Sequence, residues 1–204
     1  MNLQAETPRL VLASASASRR AVLEAAGLRF EVCPADVDET ALKQKARADG
    51  LEAGGAALLL ADAKALEVAQ RDPEALVIGC DQLLVCDGAW FDKPADRNEA
   101  RAHLRALRAR THTLVTAVLC RRGGERLWHM VARPRLTMRD FSDAFLETYL
   151  SLEGDLLTTT VGAYRLEGPG VHLFAAVEGE HAAILGLPLL DLLGFLRRYG
   201  VLVP

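Results

Sequence analysis

Leu76-Val77-Ile78-Gly79-Cys80 is apolar without a break, and Asp81 follows it directly. A run with no polar alternation has no face to offer to water, so as a strand it must be covered on both sides. That requirement constrains the fold more than any other segment, because it calls for a sheet with helices on its two faces.

The rest of the chain supplies the covers. Arg9-Leu10-Val11-Leu12-Ala13 reads as another buried strand and Ser14–Ser18 as a loop. Residues 19–26 then place Val22, Leu23 and Ala26 at helical spacing, with Gly27 past the end. Phe30–Cys33 reads as a strand stopped by Pro34, and Ala53 to Arg71 as an Ala/Leu-rich helix. Asp96 and Glu99 have capping-box spacing ahead of Ala100, Leu104 and Leu107. Thr113 to Cys120 is a β-branched strand, and Gly123-Gly124 marks a hairpin turn. Ser142 caps a further helix, stapled by Phe141 and Leu146. Val171–Val177 and Ala182–Leu185 read as late strands, before a closing helix from Leu189 to Tyr199 with Gly200 beyond it. Strands alternate with helices around one antiparallel patch: the class is α/β.

With 204 residues, no internal repeat and no low-complexity linker, a single domain of residues 1–204 is expected. The net charge of −3 offers no broad basic face, so nucleic acid is not an expected partner. No apolar stretch reaches membrane-spanning length and the amino terminus has no signal-peptide pattern, so a soluble cytoplasmic protein is expected. The four cysteines lack CxxC spacing and read as reduced core thiols.

Four segments carry possible chemistry. Ser14-Ala15-Ser16-Ala17-Ser18-Arg19-Arg20 lies between a strand and a helix, where hydroxyls, open N–H groups and guanidiniums suit a phosphate. It reads equally as a small-residue turn with two solvated arginines. Asp81-Gln82 ends the central apolar run, where α/β sheets gather ligands, or else merely terminates a strand. Asp36-Val37-Asp38-Glu39 is a carboxylate cluster that suits a divalent cation or plain solvation. Late in the chain, Gly162-Ala163-Tyr164 leads to Glu167-Gly168, and Gly186-Leu187-Pro188 follows. Neither a P-loop nor a GxGxxG pattern occurs, and the five histidines have no ligand spacing.

Taken in order, these segments resemble the Maf family of nucleoside triphosphate pyrophosphatases over nearly the whole chain. The likeness rests on Leu12–Ser16 with Arg19-Arg20, Asp36–Glu39, Lys64, Ile78–Gln82 and Asp87-Gly88. It continues through Lys93-Pro94, Gly162–Tyr164, Glu167-Gly168 and Gly186–Leu189. The resemblance implies a mixed twisted sheet flanked by helices, two lobes around a central cleft, as in inosine triphosphatases. It implies hydrolysis between the α- and β-phosphates of a nucleoside triphosphate with Mg²⁺ or Mn²⁺. Asp81 takes the place of the catalytic carboxylate, activating water or holding it through the metal. Ser14, Arg19, Lys64 and Lys93 match phosphate-handling positions. Asp36 and Asp38 match an acidic segment that either joins Asp81 on the metal or orients Lys64. A homodimer is implied as well.

Three positions separate the family's branches, and here they are Ser18, Gln82 and Glu167. Gln82 and Glu167 are similar to the branch acting on 7-methyl-GTP, and a carboxylate is suited to accept the two N–H bonds of a guanine edge. Ser18 stands where the branches place Trp or Arg. Ala17 replaces a usual Pro, and Thr159-Thr160 a frequent Asp-Lys. The other function consistent with the resemblance is a nucleotide-binding regulator of septum formation without catalysis.

Overall fold

The computed structural model describes residues 3–204. In chain order the elements are β1 (Leu10–Leu12), α1 (Ala17–Ala25), β2 (Glu31–Val32), α2 (Glu39–Ala48), α3 (Ala53–Arg71), β3 (Leu76–Cys86) and β4 (Ala89–Phe91). There follow α4 (Arg97–Leu107), β5 (Thr111–Arg122), β6 (Glu125–Ala132), β7 (Arg135–Met138), α5 (Asp143–Glu153), β8 (Phe174–Glu178), α6 (His181–Ile184) and α7 (Leu189–Arg198). The strands form one mixed sheet in the order β2-β1-β3-β5-β7-β8, with β4 on β3 and β6 on β5. The α/β class expected from the central run is the one observed.

The chain divides into two compact units. One takes in the chain up to Asp81, Thr116–Ala132 and His181–Pro204; the other takes in Gln82–Val115 and Arg133–Glu180. In the first, β1 pairs in parallel with both β2 and β3. Strand alternation then sorts β3 by face. Ile78 and Cys80 join Leu10, Leu12, Val118 and Cys120 in a core closed by Val22 and Leu23 of α1 and by Leu192, Phe195 and Leu196 of α7. Gly79 and Asp81 point the other way, toward α3.

The approach of α3 to β3 depends on Gly79. A Cβ there would lie 2.3 Å from the Ala61 carbonyl oxygen and 2.8 Å from the Ala65 Cβ, with backbone in the way. Gly79→Ala is therefore expected to destabilise the protein by about 3 kcal/mol, the upper end of overpacking costs. Chemical denaturation reads this directly, and a loss below the error of the midpoint would refute the close-approach role.

In the second unit, β4 hydrogen-bonds β3, β7 lies between β5 and β8, and α4 packs against α5. His112 is buried there, its Nε2 2.8 Å from the Tyr164 hydroxyl and its Nδ1 without a partner among the described residues. Burial holds this imidazole down to about 4, from an ordinary value of 6.5. Between those two values the unfolded chain takes up a proton that the folded one refuses. Stability is thus complete above pH 6.5 and lost as pH falls toward 4, by up to about 3 kcal/mol. Thermal midpoints across that range should fall in the parent and stay flatter in His112→Gln; parallel slopes would count against it.

Several segments depart from the sequence expectation. β3 does not end at Asp81 but runs on to Cys86. Asp87 and Gly88, both at positive φ (48° and 79°), turn it into β4. Asp81 is therefore a mid-strand residue. Ala182–Leu185, expected as a strand, lies in and just beyond the short helix α6, closed by bonds from Leu185 N to His181 O and Leu187 N to Ala182 O. Of the run Val171–Val177, the part up to Leu173 belongs to a 3-10 turn opened by Pro169, and β8 begins only at Phe174. α1 starts at Ala17 rather than Arg19, because Ser16 caps it by accepting from Arg19 N.

Candidate active site

Successive residues of β3 draw two cations. Lys64, on the face of α3 that packs on β3, places Nζ 2.7 Å from Asp81 Oδ1 and 2.8 Å from Glu39 Oε1. Arg19, in the first turns of α1, donates from Nη1 to the Cys80 carbonyl at 3.1 Å and to Ser14 Oγ at 3.0 Å. Its Nε donates to the Gly186 carbonyl at 2.9 Å. Ser14, Lys64 and Asp81 are all buried, Asp81 at 5% exposure. Buried charges of this kind persist only when paired and hydrogen-bonded.

The field of both cations is felt at Cys80. Burial pushes its thiol up to about 11, while Arg19 and Lys64 pull it down. Among the described residues, Asp81 Oδ2 has no hydrogen-bond partner although it is buried. An anionic oxygen left alone in a low-dielectric site is costly, which makes it a natural acceptor for a proton or a cation. Ser14 Oγ also accepts from Ser16 N at 3.3 Å, so the loop after β1 is held with its hydroxyl against the guanidinium.

The other residues singled out from the sequence fall as follows. Ser18 is half-buried in the first turn of α1. Arg20 is exposed and turned to Glu24 at 2.7 Å, so only one of the two adjacent arginines belongs to this cluster. Asp38 caps α2, its Oδ1 accepting from Ala41 N at 2.9 Å, and Asp36 is exposed. The acidic residue of that segment that reaches Lys64 is Glu39. Among the described residues no group of three or more His, Cys, Asp and Glu side chains is gathered for a metal, so Asp36, Asp38 and Asp81 do not form one. Two carboxylates, Asp81 and Glu39, flank one ammonium instead. That donor set fits Mg²⁺ or Mn²⁺, which commonly takes one or two carboxylates together with substrate phosphates.

Gln82, Lys93 and Glu167 belong to the second unit. Gln82 is half-buried on β3, Lys93 is exposed between β4 and α4, and Glu167 is exposed on the loop after Tyr164. That loop is tightly built: Gly162 and Ala163 have positive φ (77° and 59°), Tyr149 donates to the Ala163 carbonyl, and the buried Glu153 accepts from Arg165 at 3.0 Å. Glu39 and Gly186 stand in the sequence only as members of the Asp36–Glu39 and Gly186–Leu189 segments, with no role of their own; the structure gives each one a contact in the site.

An α/β sheet whose central strand carries a buried carboxylate under a lysine, beside a serine–arginine loop, defines the class. A family model described as Maf-like protein matches residues 9–199, and the chain belongs to that family. A nucleoside triphosphate pyrophosphatase of Granulibacter bethesdensis is 54% identical over 194 residues, covering 95% of this chain and 98% of the relative. Proteins of the same name from Paramagnetospirillum magneticum (52% over 194 residues, 95% of this chain and all of the relative) and Rhodospirillum rubrum (50% over 201 residues, 98% of this chain and all of the relative) are equally similar in extent.

Proposed function

We propose that this protein is a nucleoside triphosphate pyrophosphatase, cleaving the α–β phosphoanhydride to a nucleoside monophosphate and pyrophosphate. The observation that carries the reading is the buried Asp81, with one oxygen held by Lys64 and the other unpartnered, beside the Arg19–Ser14 pair. The names of relatives at half identity or more support it.

In this reading Asp81 Oδ2 takes the proton from water as the new O–Pα bond forms and the bond to the leaving pyrophosphate breaks. Lys64 holds the Asp81 carboxylate in place through Oδ1, and Glu39 fixes Lys64. Ser14 and Arg19 meet phosphate oxygens, as does Lys93, and their charges favour the transition state and the leaving group. Asp81 and Glu39 are the residues that would hold a divalent cation, which would add to the neutralisation of the phosphates. Pyrophosphate release from a nucleotide panel with Mg²⁺ or Mn²⁺ tests the reading. Tight nucleotide binding with no turnover would instead favour a non-catalytic regulator. A homodimer and a cytoplasmic setting, where nucleotides are found, complete the proposal.

Among bases, Gln82 and Glu167 favour a guanine nucleotide such as 7-methyl-GTP, with Ser18 leaving space where related branches carry larger side chains. Glu167→Gln is expected to weaken guanine substrates about tenfold more than uracil ones, since an amide cannot accept both guanine N–H bonds. Equal losses in kcat/KM on GTP and UTP would remove Glu167 from base recognition.

A further inference from the structure

Arg19 is held on three sides by acceptors from three separate stretches of chain. Ser14 Oγ and the Cys80 carbonyl occupy Nη1, and the Gly186 carbonyl occupies Nε. Nη2 has no acceptor among the described residues, so both of its N–H bonds remain for a ligand. A guanidinium is planar, so fixing Nε and Nη1 fixes the direction of Nη2 as well.

The Gly186 contact is the least replaceable of the three. Gly186 has φ +99°, and a Cβ built on it would stand 3.0 Å from Arg19 Nε and 3.5 Å from Nη2. A side chain at 186 would thus press on the guanidinium whose Nε its own carbonyl accepts. The carbonyl is itself held still. Gly186 N donates to Ala183 O and Leu187 N to Ala182 O, Leu187 is fully buried, and the buried Thr116 hydroxyl donates to the Ala183 carbonyl. The turn between α6 and α7 is therefore a rigid brace rather than a loose connection.

We infer that Gly186 is a positioning residue: its carbonyl and its missing Cβ aim Arg19 Nη2 at a phosphate oxygen of the substrate. This rests on the proposed pyrophosphatase reading, in which Arg19 meets a phosphate. The ligand class at Nη2 is a phosphoryl or pyrophosphoryl anion, and inorganic pyrophosphate is the probe. A displaced guanidinium loses most of its effect, since misplacement of about 1 Å costs as much as about a hundredfold in well-organised sites.

The test measures pyrophosphate affinity by calorimetry, and turnover of GTP and UTP, in four variants of the full chain. Gly186→Ala should weaken pyrophosphate binding and kcat/KM about tenfold or more. Arg19→Ala should do the same, and the double variant Gly186→Ala/Arg19→Ala should lose no more than Arg19→Ala alone. Gly200→Ala is the control for backbone strain, because Gly200 also has positive φ (+82°) but a Cβ there would meet nothing within 4 Å. It should lower the thermal midpoint while leaving pyrophosphate affinity unchanged. Additive losses in the double variant, unaltered affinity in Gly186→Ala, or no pyrophosphate binding by the parent protein would each overturn the inference. If Arg19→Ala keeps full turnover, the role of Arg19 in the pyrophosphatase reading falls, whatever Gly186→Ala does. If Arg19→Ala is crippled and Gly186→Ala is not, that reading stands and the positioning role alone is lost.

Discussion

Asp81→Asn is expected to lower pyrophosphate release about a thousandfold while leaving the thermal midpoint unchanged or slightly raised. The first half follows from chemistry, since an amide cannot take the proton of the attacking water, and a positioned base is worth about 10²–10⁴ in rate. The second half follows from burial. Asp81 is 5% exposed and its Oδ2 has no partner, so the folded protein carries a desolvated charge. Asparagine removes that charge, retains an oxygen for Lys64, and leaves Lys64 its ion pair with Glu39. A rate loss accompanied by a large drop in stability would mean that Asp81 is chiefly a structural partner of Lys64. Retained turnover would remove it from the reaction.

Much of this arrangement is legible from residues alone, and the reasons for the remainder are physical. The continuous apolar run at Leu76–Cys80 requires two covered faces, and the structure covers them with α1 and α7 on one side and α3 on the other. Local capping chemistry is equally readable: Ser142 accepts from Phe145 N, and Asp96 from Asn98 N and Glu99 N. Glu99, however, reaches back to Ala95 N rather than to Asp96 N. The run Ala182–Leu185 is ambiguous because four apolar residues carry no period that separates strand from helix. The sequence ends β3 too early, at Asp81, because a buried charge resembles a strand end until its partner is known. That partner, Lys64, lies 17 residues upstream on a helix, and the packing of Gly79 on Ala61 and Ala65 is what sets the two side chains face to face. Such a pairing depends on tertiary contact. For the same reason Glu39 is visible only as part of an acidic run, though it, and not Asp38, meets the ammonium.

Lys64→Met should destabilise the fold by about 4 kcal/mol, since removing one member of a buried ion pair strands its partner, at a typical loss of about 3–5 kcal/mol. Methionine keeps the volume and apolar stem of lysine within α3, so the effect reports charge rather than a cavity. For a chain of this size, the loss corresponds to a fall of about 10 °C in thermal midpoint. Asp81 bears the cost: Oδ1 loses its 2.7 Å contact and Oδ2 has none to begin with, leaving a buried carboxylate with no direct donor. Glu39 is about half exposed and can return to water, so it adds little. The double variant Lys64→Met/Asp81→Asn is then expected to recover most of the lost stability, because the stranded charge has gone. A cycle over the four proteins isolates the coupling between the two side chains, which should favour the pair by more than about 2 kcal/mol. If instead the two losses simply add, the ammonium and the carboxylate do not depend on one another in the folded protein. Turnover separates the two functions of the pair: stability returns in the double variant, but hydrolysis stays at the level of Asp81→Asn.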